Sequence, residues 1–254
     1  MDILEQIIET KRRELAEAGR RDIECPRTPV RHSLREALAG SPTGIIAEFK
    51  RKSPSKGWIH ADADPSEVVP AYEAAGAAVV SILTDKEYFG GSLEYIERLR
   101  PSVGIPILRK DFIIDKSQLY EARAAGADAV LLIAACLSRR ECRELLEEAH
   151  AVGLEVLLEV HGHEELDYIT PEVDVVGVNN RHLGSFVTNV RTSFMMAPAL
   201  RERGVPVFIS ESGISSPDTV RVLRAEGFRG FLMGENFMKE PDPGKALSDF
   251  LKEL

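Results

Sequence analysis

The sequence predicts a (β/α)8 TIM barrel preceded by an N-terminal helical extension. Three observations carry this reading: eight short apolar runs, a longer stretch of helical period after each, and glycines where helices reverse into strands. The runs fall at 45–49, 78–83, 106–108, 128–133, 155–160, 175–178, 207–209 and 230–233. Runs of this length between longer amphipathic stretches read as alternating strands and helices. Strict alternation implies a parallel sheet, and eight units close it into a barrel. A doubly wound open sheet competes, but no run is followed by a GxGxxG turn and no linker divides the repeats. One domain over 1–254 is the reading, with 1–43 as the extension.

Taken in order, the extension opens with Ile3, Leu4, Ile7, Ile8 and Leu15 near helical spacing among charges, and a stop is expected at Cys25-Pro26-Arg27-Thr28-Pro29. A second helical pattern at 33–39 ends at Gly40-Ser41-Pro42-Thr43-Gly44. Five of the later strands follow Gly76, Gly126, Gly153, Gly204 and Gly227. Each reads as a helix stop, because glycine takes the left-handed C′ conformation without a Cβ clash.

Composition narrows the function classes. A chain of 254 residues that is 44% hydrophobic and 29% charged is ordinary for a globular protein, which excludes collagenous, low-complexity and wholly disordered chains. The densest apolar stretch, 129–137, is far short of the ~20 residues of a spanning helix. The start Met1-Asp2-Ile3-Leu4-Glu5 lacks the basic opening of a signal peptide, so a cytoplasmic protein is expected. With 41 acidic against 32 basic residues the net charge is −9, which argues against nucleic acid or an anionic membrane as partner. Any anionic ligand must be held by local charge. Cys25, Cys136 and Cys142 form neither a CxxC pair nor a zinc ladder and read as reduced structural thiols.

In such a barrel the chemistry gathers at the C-terminal ends of the strands. The first strand ends in Glu48-Phe49-Lys50, with Glu48 and Lys50 on one face by strand periodicity. The third ends in Arg109-Lys110-Asp111, the fifth in Glu159, and the sixth in Asn179-Asn180-Arg181. The seventh ends in Ser210-Glu211-Ser212-Gly213, and the eighth runs into Gly234-Glu235. Any one of these reads equally well as a solvated loop residue; ionisable residues at the same end of six strands do not. The turns at Ser212-Gly213 and Gly234-Glu235 follow strands seven and eight, where these barrels often bind phosphate through backbone N–H groups. Lys50-Arg51-Lys52-Ser53-Pro54-Ser55-Lys56-Gly57 is a basic loop suited to a phosphate or carboxylate, or simply to solvent. Trp58, Phe89 and Phe112 follow the first three strands and together suit an aromatic pocket wall. His161 and His163 form an HxH pair, but too few co-ligands lie near for a metal site to be expected.

These segments resemble the indole-3-glycerol-phosphate synthase family of tryptophan biosynthesis. The resemblance begins with Glu48-Phe49-Lys50-Arg51-Lys52-Ser53-Pro54-Ser55-Lys56-Gly57 and continues, in order, through Thr84-Asp85-Lys86-Glu87-Tyr88-Phe89-Gly90-Gly91-Ser92 and Leu108-Arg109-Lys110-Asp111-Phe112-Ile113. It goes on through Leu157-Leu158-Glu159-Val160-His161, Gly177-Val178-Asn179-Asn180-Arg181, Ser210-Glu211-Ser212-Gly213-Ile214 and Phe231-Leu232-Met233-Gly234-Glu235. It covers about 44–243, and the N-terminal helices suit the family's extension.

What the resemblance implies is a carboxy-lyase. It would close 1-(2-carboxyphenylamino)-1-deoxyribulose 5-phosphate to indole-3-glycerol phosphate with loss of CO2 and water, without metal or organic cofactor. By position Lys110 resembles the general acid and Glu159 its acid/base partner, with Glu48 and Lys50 in the catalytic cluster. Ser53, Phe89, Phe112, Ser212, Gly213, Leu232, Gly234 and Glu235 match substrate or phosphate positions, and Asn179, Arg181 and Glu211 match polar contacts around the substrate. The expected partner is that anthranilate-derived ribulose phosphate, bound by a monomer making transient contacts with other enzymes of the tryptophan pathway.

The chain departs from the family text at His182-Leu183, across 184–189, and at Asn236, which touches loop geometry and phosphate contacts but none of the lysines or glutamates. A lysine acid working near neutral pH is expected to have a pKa lowered by desolvation or by a positive neighbour such as Lys50, with Glu159 opposing. Two rivals remain. One makes Lys110 the Schiff-base lysine of a class I aldolase. The other is a non-catalytic sugar-phosphate-binding barrel, which has no need of two acid/base pairs.

Overall fold

The computed structural model describes residues 3–19, 23, 25, 32–182 and 187–254. Eight parallel strands close into a barrel: β1 (Ile45–Phe49), β2 (Val79–Leu83), β3 (Ile107–Lys110), β4 (Ala129–Ile133), β5 (Glu155–Val160), β6 (Val175–Asn179), β7 (Phe208–Glu211) and β8 (Gly230–Met233). Each pairs with its neighbour in sequence, and β8 returns to β1. The helices are α1 (Ile3–Ala18), α2 (Leu34–Gly40), α3 (Pro65–Ala75), α4 (Glu94–Leu99), α5 (Lys116–Ala125), α6 (Arg139–Ala151), α7 (Arg191–Glu202), α8 (Pro217–Ala225), α9 (Glu235–Met238) and α10 (Pro243–Lys252). None among the described residues is long and apolar enough to cross a membrane.

The strand repeat explains why the polar residues converge. Ile46, Leu108, Leu131, Leu157, Ile209 and Leu232 fill the barrel interior. Side chains alternate along a strand, so the next inward positions are Glu48, Lys110, Ile133, Glu159, Glu211 and Gly234. On these six strands an apolar inward residue thus packs the barrel and the inward position after it faces the mouth. Outward-facing Phe49, Val80, Ile82, Val130, Leu132, Val156 and Leu158 belong to the larger core beneath the helices. Strands β3, β6 and β7 run further than their apolar runs and include Lys110, Asn179 and Glu211 in the ladder.

The extension covers both ends of the barrel. Leu34 and Leu38 of α2 join the interior cluster. Ser33 caps α2 and places its hydroxyl 2.5 Å from Glu155 Oε1, while the Arg35 N–H donates to Glu155 Oε2 at 2.9 Å. Glu155 opens β5, so α2 plugs the N-terminal end. Helix α1 instead binds Asp85 and Asp111, which follow β2 and β3, and so lies over the C-terminal mouth.

Two local expectations change. Helix α1 ends at Ala18, where Gly19 takes φ 65° and its N–H bonds back to Leu15, well before the expected stop. Pro26-Arg27-Thr28-Pro29 lies outside the described residues. Between β5 and β6 the link holds a 3-10 helix, His163–Tyr168, instead of an α-helix. The five glycines at the reversals all take positive φ, between 68° and 106°. The basic loop after β1 folds back as a two-stranded ribbon, Lys52–Ser53 against Gly57–Trp58. Cys142 is buried in α6, Cys136 sits in the turn after β4, and all three cysteines are free thiols.

Candidate active site

Two lysines, three glutamates and a histidine meet at the C-terminal mouth. Lys50 Nζ lies 2.7 Å from Glu48 Oε1, and Lys110 Nζ lies 3.4 Å from Glu48 Oε2 and 3.5 Å from Glu211 Oε2. Across the barrel, Glu159 pairs with His161 Nε2 at 3.2 Å and takes a hydrogen bond from Asn179. The glutamates are buried, whereas the lysines keep a narrow exposed tip.

Burial and charge pull these groups in opposite directions. Burial pushes Glu48 up, but Lys50 and Lys110 outweigh it and hold the carboxyl at about 2. Glu159 is likewise pushed up by burial and brought below its ordinary value by His161 and Lys110. Glu211 goes the other way, because burial and the nearby Glu159 charge exceed the pull of Lys110, so it keeps its proton above the ordinary carboxyl range. Burial lowers Lys110, yet Glu48, Glu211 and Glu159 raise it above its usual value. The expected lowering is thus reversed: the acidic groups around it, with the ionised Glu48 and Glu159 among them, outweigh desolvation, and Lys110 stands as an ammonium.

The cluster floors a cleft with two unlike halves. The apolar half is lined by Phe89 and Phe112, their rings 6.1 Å apart and tilted by 37°, with Leu83, Leu131 and Ile133. Its roof is Ile3, Leu4 and Ile7 of α1. The polar half carries Lys56, Arg181, Ser212, Gly213, Gly234 and Glu235. Glu48, Lys50 and Lys110 border both. Trp58 is not part of the wall: it is 55% exposed and sits beneath Arg51 and Lys52, which lie 5.4 and 5.7 Å from its ring centre. The helix that precedes the barrel supplies the apolar surface expected of it.

A buried network fixes that helix. Lys11 Nζ reaches Asp85 Oδ2 at 2.9 Å and Asp111 Oδ1 at 3.1 Å, and Asp111 also accepts from Thr84 and pairs with Arg109. Asp85 accepts the backbone N–H groups of Tyr88 and Phe89, so the same carboxylate holds α1 and positions an aromatic wall residue. At the polar end, Asn180 donates to Ser210 Oγ and to the Ser212 carbonyl while accepting from Ser193. It fixes the turn in which Ser212 takes φ 67°.

The family model for indole-3-glycerol phosphate synthase matches residues 4–250. The chain belongs to the indole-3-glycerol phosphate synthase family. An indole-3-glycerol phosphate synthase of Bacteroides thetaiotaomicron is 54% identical over 260 residues, covering 100% of this chain and 99% of that one. Those of Carboxydothermus hydrogenoformans and Azoarcus sp. are 46% and 42% identical, over 86% and 97% of this chain and 84% and 97% of theirs. A solved structure described as the tryptophan synthase a2b2 complex of Pyrococcus furiosus superposes with a TM-score of 0.61 at 16% identity. It covers 84% of this chain and 97% of that one, and shows the barrel alone. Indole-3-glycerol phosphate synthase is an enzyme of tryptophan biosynthesis that acts on a small-molecule substrate.

Set against this family, the expected residues converge. Lys110, Glu159, Glu48 and Lys50 line the cleft, as do Ser53, Phe89, Phe112, Asn179 and Arg181. Ser212, Gly213, Leu232, Gly234 and Glu235 gather at the polar end, with Asn236 beside them. Glu211 is fully buried and lies against Lys110 instead of on the wall. Ser53 Oγ is buried with no hydrogen-bond partner among the described residues. The His182 N–H bonds to the Val187 carbonyl, and 183–186 lie outside the described residues. Sequence reasoning missed the roof. Its signal was Lys11, a lysine set in the apolar stripe of Ile3, Leu4, Ile7 and Ile8, where only a buried counter-charge makes it tolerable. Asn180 stands beside Asn179, and the order Asn179-Asn180 carries no mark of which one faces the cleft.

Proposed function

We propose that the apolar half takes the anthranilate ring of 1-(2-carboxyphenylamino)-1-deoxyribulose 5-phosphate and the polar half its phosphate, so that the ribulose ketone lies over Lys110. The observation that carries this is the position of Lys110 Nζ at the border of the two halves, between Glu48 and Glu211. Fixing both ends forces the ring carbon onto the ketone, which converts a loose encounter into a near-attack geometry.

The ring carbon that bears the carboxylate attacks the ketone, and Lys110 protonates the oxygen as it becomes an alkoxide. An alkoxide is more basic than an amine, so this transfer is downhill even with the lysine pKa raised. The carboxylate leaves as CO2 and its bonding pair returns to the ring. Loss of the new hydroxyl as water then requires an acid at that oxygen and a base for the remaining proton. Glu159, held as a carboxylate, serves as the base. Glu211 keeps a proton 3.5 Å from Lys110 Nζ and is placed to restore what the lysine gives up. Glu48 holds Lys50 and Lys110 apart in fixed positions. The enzyme acts in the cytoplasm as a monomer, with transient contacts to other enzymes of the pathway and no nucleic acid or membrane partner.

The test is incubation with the carboxyphenylamino-deoxyribulose phosphate while indole fluorescence is followed. Lys110→Ala should abolish turnover and leave substrate affinity within about tenfold, since its main interaction is with the transition state. A variant keeping more than a few per cent of kcat removes Lys110 from the acid role. A substrate-dependent borohydride adduct on Lys110 favours the aldolase instead.

A further inference from the structure

Glu159 has a neighbour that the proposed reaction leaves unused. The strand alternation that turns Glu159 inward also turns His161 the same way, one step further up. His161 does not line the cleft but sits behind the catalytic carboxylate, its side chain 12% exposed. Its Nε2 lies 3.2 Å from Glu159 Oε1 and its Nδ1 lies 3.2 Å from Glu165 Oε2. Glu165 also accepts the His161 backbone N–H at 2.6 Å. It belongs to the 3-10 helix that stands where an α-helix was expected.

A neutral imidazole has one N–H and one lone pair, and so would turn a lone pair toward one of these two carboxylates. Only the imidazolium sets positive charge against both, through a hydrogen bond to Glu165 and an ion-pair contact to Glu159 that lacks hydrogen-bond geometry. Lys110 is engaged with Glu48 and Glu211, and no lysine or arginine among the described residues comes within ion-pair distance of Glu159. A buried carboxylate deprived of its cation takes up a proton, and a protonated Glu159 has no base function. We infer that His161 is a positioning residue for the ring closure: braced by Glu165, it stays an imidazolium and holds Glu159 ionised and aimed at the cleft. This rests on reading Glu159 as the base.

The surroundings agree. Burial lowers the His161 pKa, but Glu159 and Glu165 outweigh it and push it up to about 10. The other groups facing this row are Lys110 from β3, Glu211 from β7 and the Cys136 thiol from the turn after β4. The thiol is pushed up by burial and by Glu159 and Glu165, so it stays neutral.

Three measurements test the inference on the intact enzyme. In protein labelled with 15N-histidine, both ring nitrogens of His161 should be protonated at pH 7.5; a neutral ring overturns the proposal. His161→Gln should lower kcat near pH 7 by at least about tenfold, the scale of losses on removing a partner that orients a functional ligand, with KM within about threefold. The acid limb of its kcat profile should move up by about one pH unit or more, so that activity recovers as pH rises. Glu165→Gln keeps the imidazole and should shift the limb in the same direction by less, which decides the matter if His161→Gln does not fold. A deficit equal at every pH marks a structural role and overturns the proposal. Glu159→Gln separates the two readings: wild-type kcat in that variant removes Glu159 as the base, whereas an inactive Glu159→Gln beside a pH-independent His161→Gln refutes only the histidine's part.

Discussion

A Cβ on Gly234 would stand 2.6 Å from Glu48 Oε1, so the bare α-carbon after β8 is what makes room for the carboxylate that pairs with Lys50 and Lys110. Gly234 was expected at a phosphate turn, and it borders that half of the cleft as well. Under the proposed mechanism its packing gives it a second effect, on the placement of Glu48. Gly234→Ala should displace Glu48 and, through it, both ammonium groups, and misplacement by about 1 Å can cost about 100-fold in rate. We expect kcat to fall by about 10- to 100-fold with the fold retained by circular dichroism. A rise in KM alone, at unchanged kcat, would confine Gly234 to the phosphate.

The pairing of Glu48 with two lysines also predicts a pH dependence of stability. The group's pKa is lowered in the folded protein from 4.5 to about 2, so its contribution is fully present above about 4.5 and is lost as pH falls toward 2. A shift of that size corresponds to roughly 3 kcal/mol. Urea unfolding of the wild type and of Glu48→Gln should therefore differ by a constant amount above pH 5, with the gap closing between pH 4.5 and 2. A gap that stays open at pH 2 would show that the variant loses packing instead of charge.

Lys11 makes the same kind of argument at a distance from the chemistry. Removing one partner from a buried ion pair leaves uncompensated charge, a loss of about 3–5 kcal/mol. Here Asp85 would lose its cation while Asp111 keeps Arg109, and the placement of α1 would go with the lost pairs. Because Ile3, Leu4 and Ile7 roof only the apolar half, Lys11→Ala should raise KM by about tenfold or more while kcat falls less. Equal losses in both parameters would mean that α1 also supports the lysines.

The fold was legible because each level of the sequence agreed. Eight apolar runs, the links between them and five reversal glycines repeat one order, and the mouth was legible because inward positions beyond the apolar layer carry Glu48, Lys110, Glu159, Asn179 and Glu211. What escaped is long-range pairing. Nothing local to Lys11 names Asp85 and Asp111 as its partners, and nothing local to Trp58 says that its ring turns out beneath Arg51 and Lys52. Glu211 could be placed at a strand end, but its depth below Lys110 depends on the neighbouring strand, where Gly177 leaves space for its carboxylate. The lysine pKa was misjudged for the same reason, since its direction depends on how many carboxylates the closed barrel brings together.

A chain of net charge −9 must capture a phosphate and a carboxylate by local positive charge. Lys50, Lys52 and Lys56 of the basic loop, with Arg181 after the sixth strand, are the cations available for a positive funnel. The structure removes one of them, because Lys52 Nζ donates to the Glu87 carbonyl at 2.8 Å and lies over Trp58. Lys56 is 56% exposed at the polar end and pairs with Glu235, while Arg181 reaches toward Ser55 beside it. Exposed charges steer a ligand over about a Debye length, roughly 10 Å at 0.1 M salt, so their contribution fades as salt rises. Lys56→Gln should therefore lower kcat/KM most at low ionic strength, with the gap from wild type narrowing as salt is added. Lys52→Gln should leave the salt dependence unchanged. Gly213→Val acts by contact: φ at 213 is 75°, and a Cβ there would stand 2.5 Å from Thr188 Cγ2. It should raise KM at every salt concentration, since the turn itself must shift. If Lys56→Gln shows the same proportional deficit at low and high salt, the steering argument fails and Lys56 works by direct contact or by its pairing with Glu235.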